Sequence, residues 1–362
     1  MRHILLGLTG SVATVLASKL RSALQQVGDV KTVATESARF FLDNDFLYQA
    51  NDQYHIDEDE WPQDYKVGDP IMHIELRKWA SCLVIAPLDA NTLAKLAHGM
   101  CDNLLTSVVR AWDWNRPLIV APAMNTYMWD NEPTKEHLEI LKKRGAFVIN
   151  PVEKRLACHD VGMGAMASVE TIVKLVEEKL RWLFPIKNCN GIPINHHPGA
   201  FGFHRKKNHH TGIDLYCRDG EAVYAAESGI IVNIADFTGP KVGHDWWEAT
   251  MGVMVEGATG VINYGEITPL QTLKVGDTIK RGDQVGNVKR VLFEDRYRPD
   301  IPGHSTSMLH LEFYRHGTND FADWHDLKKN PDLLDPTQHL IHAVDAPVKT
   351  LTWDNAEAKS VG

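Results

Sequence analysis

Cysteine is scarce in this chain of 362 residues, and the five present (Cys82, Cys101, Cys158, Cys189 and Cys217) show no pairing rhythm. A disulfide-stapled domain is thereby excluded, and a reducing compartment fits. No run of about 20 apolar residues occurs, so no helix of the chain is suited to span a bilayer. The opening His3-Ile4-Leu5-Leu6-Gly7-Leu8 reads as a buried first strand, too short and too soon followed by glycine for a secretory signal. A basic excess is also missing. The net charge of −9 argues against nucleic acid or an anionic membrane as partner. Low-complexity text is absent, and so is any G-x-G-x-x-G, which removes the dinucleotide fingerprint. What is there, 44% hydrophobic and 23% charged residues, is the composition of a soluble globular protein. At this length it suits two domains better than one, and the expected setting is cytoplasmic.

Residues 1–184 alternate short β-rich runs at 4–8, 30–34, 82–86, 118–121 and 147–149 with helical periodicity over 12–26, 93–98, 103–112, 134–144 and 169–183. Such alternation spells βαβ units. With right-handed crossovers it predicts an α/β fold, a doubly wound parallel sheet that takes ligands beyond the carboxyl ends of its strands. Turn-rich text at 185–198, with Asn188, Asn190, Gly191, Pro193 and the pair His196-His197, reads as a linker. From 199 to 342 the text is strands (223–226, 229–234, 252–256, 260–264, 309–314) and glycine turns, which predicts a mostly antiparallel β domain. Residues 343–362 carry no strong pattern and read as a fraying tail.

In the first half, each chemistry-bearing phrase follows a strand. Gly10-Ser11-Val12 joins the first strand to a helix, where backbone N–H groups and a serine hydroxyl suit a phosphate; a plain helix cap explains Ser11 equally well. Thr35 and Ser37 add hydroxyls after the second strand. Asp89, Ala90, Asn91 and Thr92 follow the third, offering polar edges for a heterocycle or a cap for the next helix. Pro122-Ala123-Met124-Asn125 follows the fourth. One thiol, Cys158, stands in the glycine-punctuated run 157–166, and His73 opens an apolar-periodic stretch. Singly, such a histidine is structural by default and such a cysteine is a small buried hydrophobe. On separate loops of one α/β domain they form the outline of an enzyme site. A flat ligand with one phosphate, such as FMN, fits this inventory better than a dinucleotide.

Five phrases carry a resemblance: His73-Ile74-Glu75-Leu76-Arg77-Lys78-Trp79, Ala86-Pro87-Leu88-Asp89-Ala90-Asn91-Thr92-Leu93-Ala94-Lys95, Cys101-Asp102-Asn103-Leu104-Leu105-Thr106, Pro122-Ala123-Met124-Asn125 with Met128-Trp129, and Ala157-Cys158. In that order they make residues 3–184 similar to the flavin-dependent cysteine decarboxylases, above all those acting on phosphopantothenoylcysteine in coenzyme A synthesis. The resemblance implies FMN at the subunit contacts of a homotrimer and His73 against flavin and substrate. It also implies Asn125 on the substrate carboxylate, Met124 and Ala157 holding the substrate, and Cys158 as the acid that reprotonates the intermediate. The implied logic is an electron sink. Oxidation of the cysteinyl thiol to a thioaldehyde lets CO2 leave, and an ordinary thiol, with a pKa of about 8.5, keeps its proton at pH 7 until needed. Two positions depart from the family: His159 stands where a glycine is usual, and Lys78 where an arginine is common. A regulatory flavoprotein of the phosphatase-inhibiting type is the rival reading, opposed by the presence of His73, Asn125 and Cys158 together.

In the second half, His210 and Asp214 lie four residues apart, and Met308-Leu309-His310-Leu311-Glu312 follows on a later strand. With Glu221-Ala222-Val223-Tyr224-Ala225-Ala226, Val275-Gly276-Asp277 and Gly282-Asp283-Gln284-Val285-Gly286, residues 199–320 resemble the lysostaphin-type zinc peptidases. By that resemblance His210, Asp214 and His310 are the zinc ligands, and a peptide or cell-wall fragment is the ligand class. Yet Met308 and Glu266 stand where the family expects histidines, so little or no hydrolysis is expected, with an active zinc endopeptidase as the alternative. Histidines that merely satisfy turns of a β domain are the bland reading.

Overall fold

Near-continuous apolar runs, the text of strands covered on both faces, build the sheet of the first unit. The structure is a computed structural model that describes residues 2–64, 66–155, 161–204, 209–245, 247–292, 307–322 and 330–352. In it the chain divides between Leu180 and Arg181. The first unit holds strands β1 (His3–Leu8), β2 (Asp29–Ala34), β3 (Tyr54–His55), β4 (Cys82–Leu88), β5 (Leu118–Pro122) and β6 (Phe147–Val148), followed by β7 (Val152–Arg155) and β8 (Val161–Ala165). The first six pair in parallel in the order β3-β2-β1-β4-β5-β6. This is the doubly wound α/β fold that the alternation predicted, and its strand order reverses between β1 and β4, where such sheets open a ligand crevice. Leu5, Val33, Leu83, Ile85, Leu105, Val120 and Leu141 lie in the buried core, sealed by the helices Met72–Trp79, Ala90–His98, Leu104–Arg110 and Glu132–Arg144.

Two details differ from expectation. The single helix expected over 12–26 begins as a 3-10 turn, Val12–Leu16, and only then becomes the α-helix Ala17–Leu24. The antiparallel hairpin β7–β8, with Arg155 opposite Val161, gave no sequence signal, because all four β7 residues are exposed and polar or isolated.

The second unit contains β9 (Ile192–Pro193), β10 (Ile213–Cys217), β11 (Ala222–Tyr224), β12 (Gly229–Thr238), β13 (Thr250–Gly257), β14 (Val261–Pro269), β15 (Thr278–Ile279), β16 (Gln284–Val288), β17 (Ser307–Tyr314), β18 (Leu333–Leu334) and β19 (Thr350–Leu351). Its main sheet is antiparallel, in the order β10-β17-β14-β13-β12-β15, with β11, β16 and β18 paired off that path. The first domain, expected to run to 184, ends at Leu180, and the expected linker and tail also need correcting. Trp182, Phe184, Ile186 and Ile192 are buried in this unit's core beside Leu340 and Ala343, and β9 pairs with β19 in parallel. The Trp182 indole N–H also donates to the Thr259 hydroxyl at 2.9 Å. Turn residues at 185–198 concealed apolar side chains that have a core to join, so this stretch and residues 343–351 are structural parts of the β unit.

Candidate active site and metal centre

Thr9 ties the crevice together at the β1/β4 reversal. Fully buried, its hydroxyl donates to the Pro87 carbonyl at 2.8 Å and accepts the Asp89 N–H at 2.8 Å, while its own carbonyl accepts the Thr14 hydroxyl at 2.8 Å. At Gly10 a Cβ atom would lie 2.5 Å from Ser37 Oγ and 3.1 Å from Asp89 Oδ2, so the three loops close only because that side chain is missing. Thr35 and Ser37 hydroxyls lie 3.2 Å apart. Gly10, Thr35, Ser37 and Asp89 therefore stand together.

The cap reading of these residues is also realised. Ser11 Oγ accepts the Ala13 N–H at 3.4 Å, Thr35 Oγ1 accepts that of Ala38 at 3.3 Å, Asp89 Oδ1 that of Thr92 at 2.6 Å, and Asn125 Oδ1 that of Tyr127 at 2.8 Å. Each cap opens a helix at the carboxyl edge of the sheet. Cap and ligand site are compatible, because the same helix starts present N–H groups and partial positive charge. Hydroxyls, backbone donors and a glycine-closed cradle fit a phosphate-bearing planar group such as a flavin mononucleotide. Asn91 is exposed on its helix, Thr92 is buried, Ala90 is half-buried, and Val12 is exposed in the 3-10 turn.

The β5 loop is gripped from two sides. The Ala123 N–H donates to the Leu88 carbonyl at 3.0 Å, and the Met124 N–H donates to the Gly164 carbonyl at 3.0 Å. Gly164 lies at φ +146, and a Cβ there would come within 2.2 Å of the Met124 carbonyl oxygen; at Gly162 it would meet the Thr126 side chain at 2.8 Å. Those two glycines let β8 pack flush against the loop carrying Asn125. Ala157 and Cys158 lie outside the described residues, between β7 and β8 in the sequence, and β8 itself is docked on the Met124-Asn125 loop. His73 is held from another direction. Glu60, at the end of the helix Asp57–Glu60, accepts the His73 backbone N–H at 2.8 Å with one oxygen and meets the ring Nδ1 at 2.5 Å with the other. Nothing in the sequence had singled out Glu60.

In the second unit, strand register assembles the metal set. Asp214 on β10 lies directly opposite His310 on β17, and Gly265 on β14 lies opposite His310 from the other side. His210 Nε2 is 2.9 Å from Asp214 Oδ1, His310 Nδ1 is 2.8 Å from the same oxygen, and the two ring nitrogens are 3.2 Å apart. All three residues are buried, and their ligand atoms lie within 4.8 Å of one another. Each imidazole also has an oxygen behind it: the Ala200 carbonyl hydrogen-bonded at 2.8 Å to His210 Nδ1, and the Glu312 carboxylate in ion-pair contact at 3.4 Å with His310 Nε2. Glu312 is wholly buried and accepts from the Asn263 amide at 2.8 Å and the Tyr314 hydroxyl at 2.6 Å. Two imidazoles and a carboxylate, backed by outer oxygens, form a donor set suited to zinc. Burial alone would lower the His310 pKa, but the Asp214 and Glu312 carboxylates prevail and push it up to about 10 in the metal-free chain.

Strand alternation puts Met308, His310 and Glu312 on one face of β17, opposite core residues Leu309, Leu311 and Phe313. The thioether thus occupies the ligand side, where no proton can be exchanged. Glu266 is buried at a left-handed position, φ +62, beside Gly265.

The fold and crevice define a class: the chain belongs to the flavoprotein family, whose model matches residues 1–181. The Peptidase family M23 model matches residues 208–320. Among individual relatives, phosphopantothenoylcysteine decarboxylase of Oryza sativa subsp. japonica is 50% identical over 192 residues, covering 53% of this chain and 86% of that protein. Phosphopantothenoylcysteine decarboxylase of Arabidopsis thaliana is 50% identical over 180 residues, covering 50% of this chain and 85% of that protein. A solved cysteine-to-serine variant of PPC decarboxylase, complexed with pantothenoylaminoethenethiol, shares 47% identity over 49% of this chain and 97% of its own, with a TM-score of 0.47.

Proposed function

We propose that the first unit decarboxylates 4′-phosphopantothenoylcysteine to 4′-phosphopantetheine, with FMN in the crevice between β1 and β4, and that it works as a cytoplasmic homotrimer. The carrying observation is 50% identity with a named decarboxylase over 180 residues, together with a family match over residues 1–181 that takes in every described loop of the crevice. Bound FMN would supply the two-electron chemistry, taking a hydride from the substrate's cysteinyl side chain and later returning it. The protein's own groups do the rest. Helix starts and the Ser11, Thr35 and Ser37 hydroxyls hold phosphate, and Asp89, Ala90, Asn91, Thr92 and Ala123 edge the ring. The Asn125 amide donates to the substrate carboxylate, Met124 and Ala157 pack on the substrate, His73 takes a proton, and Cys158 gives one. Exposed Val12, Val15, Leu16, Tyr127 and Met128 around these loops offer apolar surface for neighbouring copies.

For the second unit we propose a zinc ion held by His210 Nε2, Asp214 Oδ1 and His310 Nδ1, facing a peptide-like or cell-wall ligand, with little or no hydrolysis. The ligand set supports binding, and Met308 removes an imidazole that an efficient peptidase would use to move protons.

Purified protein should be yellow and release CO2 from phosphopantothenoylcysteine, and Cys158→Ser should stall at an unreduced enethiol product. A colourless chain that takes up no FMN, or full turnover by that variant, would refute the first reading. Cleavage of peptidoglycan or glycine-rich peptides would refute the hydrolytic silence of the second unit.

A further inference from the structure

Glu60 ends the acidic run Asp57-Glu58-Asp59-Glu60, a stretch that on composition alone belongs to a solvated surface. Its side chain is instead only 6% exposed, against 67% for Glu58, and both of its oxygens are spent on one residue. Oε2 accepts the His73 backbone N–H at 2.8 Å, and Oε1 lies 2.5 Å from His73 Nδ1. The short helix that presents it is fixed in turn. Asp57 Oδ1 accepts the Leu104 N–H at 2.8 Å, and Asp59 Oδ2 accepts the Ile56 N–H at 2.9 Å.

An ionised carboxylate has no proton to give, so in this pair Nδ1 must be the donor. The neutral ring then carries its proton on Nδ1 and its lone pair on Nε2. We propose that Glu60 is the positioning residue that sets the tautomer and orientation of His73, making Nε2 the proton acceptor for the substrate thiol. The proton comes from the substrate S–H bond, whose electron pair stays on sulfur. Only this last clause rests on the decarboxylase reading; the tautomer rests on the two hydrogen bonds of a charged carboxylate to a neutral ring.

Glu60→Gln gives a sharp test, because the amide is almost the same shape but has an asymmetric end. The His73 backbone N–H can only donate, so it claims the amide oxygen. That leaves the amide NH2 facing Nδ1, which must become an acceptor, and the ring proton moves to Nε2. In a serine protease, the equivalent carboxylate-to-amide change behind the catalytic histidine costs about 10⁴-fold in kcat through the same tautomer error. Side-chain 15N NMR of the parent should place the His73 proton on Nδ1, and the spectrum of Glu60→Gln should place it on Nε2. The variant should keep its bound FMN and its KM within about twofold while kcat falls at least about tenfold. A parental ring protonated on Nε2 overturns the proposal, as does a variant with the parental tautomer or parental kcat. If the parent lacks flavin and releases no CO2 while the tautomer still swaps, the decarboxylase reading fails and the positioning role stands. Should Glu60→Gln not fold, the parental tautomer alone decides.

Discussion

A histidine's chemistry is set by whatever faces its second nitrogen. His210 has the Ala200 carbonyl there, His310 has Glu312, and His73 has Glu60. For His310 the consequence is measurable. In the metal-free chain Asp214 and Glu312 outweigh burial and raise its pKa from 6.5 to about 10. A raised histidine contributes stability that is complete below its unfolded value and is lost as pH rises through the folded one. The metal-free protein should therefore lose melting temperature between pH 7 and 10 relative to a His310→Gln chain. Stoichiometric zinc, which takes the ring deprotonated, should flatten that difference. A level difference in the metal-free state would contradict the charged network. In the same titration His210→Ala should fail to retain zinc. Sequence spacing marked His210 and Asp214 as potential ligands four residues apart, and the resemblance to the lysostaphin-type peptidases implied His310 as the third. It left Glu60 and Glu312 unassigned, because an acidic residue in an acidic run, or at the end of a strand phrase, looks the same whether solvated or buried.

Elements were legible in proportion to their burial. The strands β1, β2, β4 and β5 run through the covered middle of the sheet and read as apolar words. The two-residue β3 and the hairpin β7–β8 have no such signature, and β10, Ile213-Asp214-Leu215-Tyr216-Cys217, was read for its ligand rather than as a strand. Yet the hairpin carries the most consequence for the proposed chemistry, since Cys158 lies between its two strands in the sequence. Gly164 is its critical residue. Alanine there would meet the Met124 carbonyl oxygen at 2.2 Å on a backbone at φ +146, so β8 must lift from the Met124-Asn125 loop. A displacement of about 1 Å at a reacting group costs on the order of a hundredfold in rate. Gly164→Ala should lose decarboxylation on that scale while retaining FMN, because the loops after β1 and β2, proposed to hold its phosphate, are untouched. Parental kcat in that variant would mean that the hairpin does not place the thiol.

At the scale of the whole molecule, the chain is two folding problems written in succession. The first unit buries an α/β core around Leu5, Leu83 and Val120. The second buries a β core to which Trp182 and Phe184 contribute from the end of the stretch read as the first domain, and Ile186 and Ala343 from those read as linker and tail. Each unit therefore has its own apolar interior and its own proposed ligand, one a flavin and one a metal. A ligand that binds only the native form stabilises by mass action, about 2.7 kcal/mol at a hundredfold excess over Kd. For units of this size that corresponds to roughly 5–10 °C in melting temperature. Calorimetry of the intact chain should resolve two transitions, with FMN raising one and zinc the other by that amount. His210→Ala should abolish only the zinc-dependent shift, and Gly10→Ala, which drives a methyl group into Ser37, only the flavin-dependent one. If either ligand moved both transitions equally, the two halves would form one cooperative unit. The division at Leu180 would then describe geometry but not energetics.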